Sequence, residues 1–102
     1  MGIKKQYLKN KPACKVTFTL PREAAGAAKS VHVVGDFNDW SINANPMRKL
    51  KDGTFTATVT IKNSGHYQFR YLLDGVLWEN DWGADKYLPN EFGSDNSVLV
   101  VD

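Results

Sequence analysis

Three tryptophans stand where water should reach them. Trp40 ends the polar turn Asp36-Phe37-Asn38-Asp39. Trp78 precedes Glu79-Asn80-Asp81, and Trp82 lies within Asp81-Trp82-Gly83-Ala84-Asp85. A large flat ring kept at a polar surface can serve as a contact platform. Two ligand classes use such platforms. Nucleobases stack on them, and sugar rings lay their C–H faces on them while nearby amides and cations bind the hydroxyls. The plainer alternative is that each ring covers an open end of the fold. Arg70, set between two of these tryptophans, can donate to vicinal hydroxyls, and Asn96 offers both a donor and an acceptor.

Catalytic chemistry finds less support. Asp36, Asp39, Glu79, Asp81, Asp85, Glu91 and Asp95 are available. A glycoside hydrolase needs a pair of carboxylates roughly 5–10 Å apart, one with a raised pKa. Nothing in the sequence places an apolar pocket around any of them, so they read as solvated loop acids. His32 and His66 lack the spacing of metal ligands. There is no Gly-x-Ser-x-Gly, no cue that activates Cys14, and no glycine-rich phosphate loop before a helix. No catalytic residue, metal or cofactor is expected.

The elements that must position these residues read as strands. Lys15 to Leu20 alternates with period two and stops at Pro21. Glu23 to Lys29 is Ala-rich, too short for a lasting helix, and reads as a loop. Val31 to Val34 is apolar enough to be buried on both sides. In Thr54 to Ile61, Phe55, Ala57, Val59 and Ile61 fall on one face and four threonines on the other. Asp52-Gly53 before it signals a hairpin with Met47 to Leu50. Tyr67 to Leu73 alternates again, with Tyr67, Phe69 and Tyr71 inward and Gln68, Arg70 and Leu72 outward. Asp74-Gly75 then turns into Val76-Leu77-Trp78, and Ser97 to Val101 is the last strand. About seven short strands separated by turn signals predict an all-β, antiparallel β-sandwich. Residues 1–14 read as a flexible, Lys-rich tail, and residues 15–102 as the sandwich, with nothing catalytic expected after its final strand.

Size and composition agree with a single domain. The chain has 102 residues, 42% apolar and 24% charged, which fits neither disorder nor a membrane span. Met1 to Lys5 is positive but leads into no apolar segment, so no signal peptide is read. Cys14 is the lone cysteine and cannot form an internal disulfide, so a cytoplasmic location is expected. A net charge of +2 is too small to imply a nucleic-acid or membrane partner.

Val33-Val-Gly-Asp-Phe-Asn-Asp-Trp40, Tyr67-Gln-Phe-Arg-Tyr-Leu-Leu-Asp-Gly75, Trp78-Glu-Asn-Asp81 and Phe92-Gly-Ser-Asp-Asn96 come in a familiar order. From about Lys15 to the C-terminus the sequence resembles carbohydrate-binding module family 48. That family includes the N-terminal sandwich of isoamylases and glycogen-branching enzymes, and the glycogen-binding domain of the AMP-activated kinase β subunit. The resemblance implies an immunoglobulin-like sandwich of the early-set type. It also implies a site: Trp40 and Trp78 as sugar-stacking platforms, Arg70 on the hydroxyls, and Phe92, Ser94 and Asn96 as an apolar wedge, a hydroxyl and an amide from the final loop. Two departures bear on this. Val76-Leu77 adds a residue between Asp74-Gly75 and Trp78, and a one-residue slip turns a side chain to the other face. Trp82 is therefore an additional candidate for the second platform, although the Trp78-x-x-Asp81 spacing favours Trp78. Phe92 also replaces a Leu, giving a flatter wedge that could stack.

The resulting expectation is a non-catalytic module binding α-1,4-linked glucans such as glycogen, starch or maltooligosaccharides. The alternative is a structural or protein-interaction sandwich that docks on a glycan-active enzyme or kinase partner without binding sugar itself. Single-stranded nucleic acid would need a basic groove, and Lys4, Lys5, Lys9, Lys11 and Lys15 cluster at the wrong end of the sequence for one.

Overall fold

The computed structural model describes residues 2–102. In chain order the strands are β1 (Ile3–Tyr7), β2 (Cys14–Leu20), β3 (Val31–Gly35), β4 (Arg48–Lys49), β5 (Phe55–Ile61), β6 (Gly65–Leu73), β7 (Leu77–Glu79), β8 (Lys86–Pro89) and β9 (Asp95–Val101). One sheet runs β1-β2-β5-β4. The other runs β3-β6-β9-β8, with β7 paired to β6. All pairings between these strands are antiparallel. This is the antiparallel β-sandwich that the strand pattern predicts, of the immunoglobulin-like kind that the resemblance implies.

Period-two alternation explains the core. Val16, Phe18 and Leu20 of β2, Phe55 and Ile61 of β5, Phe69 and Tyr71 of β6, and Leu99 and Val101 of β9 are buried between the sheets. Phe18 meets Phe69 edge-on at 5.0 Å and stacks on Phe37 at 5.2 Å. Each large apolar side chain so enclosed contributes about 1.5–3 kcal/mol. The four threonines of Thr54 to Thr60 lie on the non-core side as expected. Thr17 and Thr58 pair across the strands, their hydroxyls 3.2 Å apart.

Two expectations need correction. Residues 1–14 are not a tail throughout: Ile3–Tyr7 forms β1, paired with β2 from Ile3↔Phe18 to Tyr7↔Cys14, and Cys14 itself is buried. The register puts Lys5 opposite buried Val16, on the side of β1 that faces the other sheet. There Lys5 Nζ meets Asp85 at 2.7 Å. An inward charge on an edge strand hides the alternation and discourages pairing with another chain. Next, Arg22–Ala25 forms a single helical turn where a loop is expected, and buried Ala25 and Ala28 anchor it on the core. Among the described residues there are nine strands, where about seven are expected. The additional two are β1 and β8, and every residue of β8 is exposed.

Both Asp-Gly turns form. Gly53 has φ +89, and its N–H donates to the Leu50 carbonyl at 3.0 Å. Asp74 and Gly75 have φ +51 and +73, and the Val76 N–H donates to the Leu73 carbonyl at 3.0 Å. The ladder then pairs Leu73 with Leu77, which leaves Val76 exposed in the three-residue turn Asp74 to Val76.

Candidate functional site

The segment Gly35 to Trp40 is a tight corner between two demands. Gly35 lies so close to β6 that a Cβ there would come within 2.6 Å of the Phe69 Cβ and 2.5 Å of the Gln68 carbonyl. Phe37 turns inward onto Phe18, while Asp36 stays exposed. Asn38 holds the turn. Its amide oxygen accepts from the Gly35 N–H at 3.0 Å, and its nitrogen donates to the Val33 carbonyl at 3.0 Å and to Asn45 Oδ1 at 2.7 Å. Asp39 and Trp40 then both adopt left-handed backbone, with φ +56 and +58. That conformation costs roughly 1–2 kcal/mol per non-glycine residue. It aims the Trp40 ring outward, where its Nε1–H donates to Asp36 Oδ1 at 2.8 Å. The other Asp36 oxygen accepts the Gln68 backbone N–H at 2.7 Å.

The three-residue turn Asp74 to Val76 decides the direction of Trp78. Because the extra residue is absorbed in the turn, Trp78 pairs directly with Leu72. It therefore shares the outer face of the second sheet with Gln68 and Arg70. The Arg70 guanidinium lies over the Trp78 ring at 6.0 Å, an arrangement that contributes about 0.5–1 kcal/mol near solvent. Arg70 Nη2 lies 3.4 Å from Ser94 Oγ, and Arg70 Nε is enclosed without a protein partner. Val34, Leu72 and Val98 lie on the same outer face and are buried, giving the surface an apolar underlayer.

The final loop closes the other side. Asn90 Oδ1 accepts the N–H groups of Phe92 at 2.9 Å and Ser94 at 3.2 Å, and the Asn90 N–H donates to the Ser94 carbonyl at 2.8 Å. Gly93 takes φ +78. Phe92 is left 83% exposed. These parts enclose an open groove of about 700 Å³, lined by Trp40, Arg70, Trp78, Phe92 and Asn96 together with Asp36, Gln68, Asn90 and Glu91. Five of the six residues singled out in the sequence thus meet in one place, and Ser94 stands beside them through Arg70. Trp82 does not line the groove; it is 61% exposed in the turn after Asp81.

Sequence reasoning missed several residues. Asp36 is not an idle loop acid but the clamp on Trp40. Asn90 organises the final loop, and Pro89-Asn90-x-x-Gly93 carried a turn signal that could have shown it. Asp81 is the clearest correction, since it is only 1% exposed. Its carboxylate accepts from the Tyr71 hydroxyl at 2.5 Å and the Gly83 N–H at 2.7 Å, and its own N–H donates to Ser97 Oγ at 2.9 Å. Burial pushes the Asp81 carboxyl above the usual carboxylate range, against the hydrogen bonds from Tyr71 and Gly83. The signal was Tyr71, an inward tyrosine whose hydroxyl had to find a partner. Asp81 thereby fixes the chain just past Trp78. Among the described residues, no three His, Cys, Asp or Glu side chains converge as metal ligands, and no helix is long and apolar enough to cross a membrane.

Comparison with known proteins agrees with this architecture. Structures of the enterobactin esterase FES from Shigella flexneri match 98% of the chain. One, in the presence of enterobactin, has a TM-score of 0.77 at 12% identity, and a second, in the presence of 2,3-di-hydroxy-N-benzoyl-glycine, has 0.74 at 12%. A structure described as enterochelin esterase from the same organism has 0.72 at 14%. At such identities the likeness concerns the fold. The chain spans about one third of the length of these solved structures, 33%, 32% and 33% respectively. No curated protein matches the sequence. The model of carbohydrate-binding module 48, the isoamylase N-terminal domain, matches residues 13–88. The chain belongs to the carbohydrate-binding module 48 family.

Proposed function

We propose that the groove binds α-1,4-linked glucan chains, and that the chain is a non-catalytic module delivering this affinity. The observation that carries the reading is the common placement of Trp40, Trp78 and Arg70 around one open groove on the outer face of a sheet. The two indoles supply flat apolar faces for pyranose rings. Arg70 retains Nη donors for vicinal hydroxyls, because Nη2 has only the long contact to Ser94. Asn96 gives one N–H to Gln68 and takes one from Asn90, which leaves a donor and a lone pair for a hydroxyl. Phe92, beside them, offers a third apolar face.

An open groove with two platforms is shallow, so the dissociation constant should be roughly 10 µM to 1 mM, or about −4 to −7 kcal/mol. Titration with maltoheptaose, followed by tryptophan fluorescence and by NMR shifts of the Trp40 and Trp78 indole N–H groups, tests this. Silence from both rings at millimolar sugar would sink the reading.

A second reading, docking on a protein, draws on Val76, Leu77 and Trp82, which are exposed apolar side chains outside the groove. It is favoured if Trp82→Ser abolishes association with a glycan-active enzyme while leaving the maltoheptaose response intact.

A further inference from the structure

We infer that Gln68 and Asn90 are positioning residues that tie the two walls of the groove together, so that Trp40 and the Phe92 loop are held as one preformed unit. An unbroken hydrogen-bond path crosses the groove between them. It starts where Trp40 Nε1–H donates to Asp36 at 2.8 Å, and the Gln68 N–H donates to the other oxygen of the same carboxylate at 2.7 Å. It continues as Asn96 Nδ2 donates to Gln68 Oε1 at 3.1 Å and Asn90 Nδ2 donates to Asn96 Oδ1 at 3.2 Å. It ends where the Phe92 N–H donates to Asn90 Oδ1 at 2.9 Å.

Two physical points give the path its meaning. First, every residue in it lines the groove, so the wall is made from the atoms that fix its shape. Second, each part has its own local support, Asn38 under Trp40 and Asn90 within the Phe92 loop, but neither support spans the gap between them. Phe92 is 83% exposed and Trp40 sits on left-handed backbone. Ordering an exposed loop only when ligand arrives would subtract from affinity, and a loop ordered beforehand avoids that loss. The Asn90 turn alone orders the loop within itself. The pairing of β8 with β9 and the Arg70–Ser94 contact seat the loop on the sheet that carries Arg70 and Trp78, and the step through Asn96 to Gln68 links it onward to Asp36 and Trp40.

The inference rests on the glucan reading for its use but not for its first measurement, which is made on the sugar-free protein. Gln68→Met keeps the length of the side chain and the β6 backbone pairing, and removes the oxygen that Asn96 needs. The amides of Glu91 to Ser94 should then show a lower ¹⁵N heteronuclear NOE, and maltoheptaose should bind about 3- to 10-fold more weakly. Gln68→Glu restores an acceptor oxygen and should recover most of the order. Asn90→Ala, cut at the loop end, should reproduce the loosening if Gln68→Met does not fold. Unchanged order at Glu91 to Ser94 in a folded variant overturns the inference. So does a loosened loop with undiminished affinity. A wild-type protein that ignores maltoheptaose, while Gln68→Met still loosens the loop, would overturn the glucan reading and uphold the tie.

Discussion

On the outer face of the first sheet, Thr17, Thr19, Thr56, Thr58 and Thr60 stand in paired rows beside Lys4, Lys15 and Arg48. On the outer face of the second, Gln68, Arg70, Trp78 and Asn96 stand with Asp36 and Asn90 reaching in from the connecting loops. Strand geometry is the same in both. The threonine face is what β-propensity and solubility ask of a solvated sheet, and its residues are interchangeable within that demand. The tryptophan face departs from it. Its side chains bond to one another across loops distant in sequence, and one turn spends two left-handed residues to aim a ring at water. Order that stability does not require is the mark that separates a working face from a solvated one.

The comparison can be broken most severely from beneath. Asp81→Ala should cost about 2–4 kcal/mol in chemical denaturation, because the Tyr71 hydroxyl and the Gly83 N–H are left unpaired next to Trp78. Gly2→Ala attacks the same point, since Gly2 has φ +79 and a Cβ there would run into the Asp81 carboxylate. The charge at Asp81 also has a pH signature. Its folded pKa is raised, so its contribution to folding is present below the ordinary aspartate range and is lost as pH rises through the folded value. Asp74 and Asp85 act in the opposite sense. Asp74 is held low by the Ser30 and Lys29 N–H groups. Asp85 is raised by burial but lowered overall by Lys5 and the Val100 N–H. Their contributions are present above the ordinary aspartate range and are lost on acidification. Asp81→Asn removes only the first effect. Its stability relative to wild type should therefore rise as pH increases from about 4, measured by urea titrations at several pH values.

Next in size is the working face itself. Trp40→Ala should weaken maltoheptaose binding by about 1–3 kcal/mol with the melting transition retained, read by calorimetric titration beside a thermal melt. Smaller again is the edge. Lys5→Ala removes the partly shielded pair with Asp85 and should lower stability by about 0.3–1 kcal/mol, less at high salt. Smallest is the threonine face, where Thr58→Ala should change stability by no more than about 0.5 kcal/mol and leave sugar binding unaltered. A loss of binding in Thr58→Ala would erase the distinction between the two faces.

Much of this was legible beforehand because a period of two is a local property. Phe69 and Tyr71 could only face opposite to Gln68 and Arg70 once Tyr67 to Leu73 was a strand, and Gly35 to Trp40 announced its own turn. β1 stayed hidden because its inward position carries Lys5, whose partner Asp85 lies 80 residues away in the chain. Asp81 read as a solvated acid because it follows β7 in a loop while Tyr71, which binds it, lies on β6.

The alternation of apolar residues and the Asp-Gly turns determined, without coordinates, that the chain is an antiparallel sandwich with Arg70 on an outer face. They act between neighbours, and neighbours suffice to set them. Tertiary structure alone decided that Trp78 and not Trp82 joins Trp40 at the groove, and that the Phe92 loop closes its side. The three-residue turn ending at Val76 and the pairing of β8 with β9, joined by amides from Gln68 to Asn90, made those choices. Both depend on which strands pair and in what register, a property of the packed molecule that no short stretch of sequence contains.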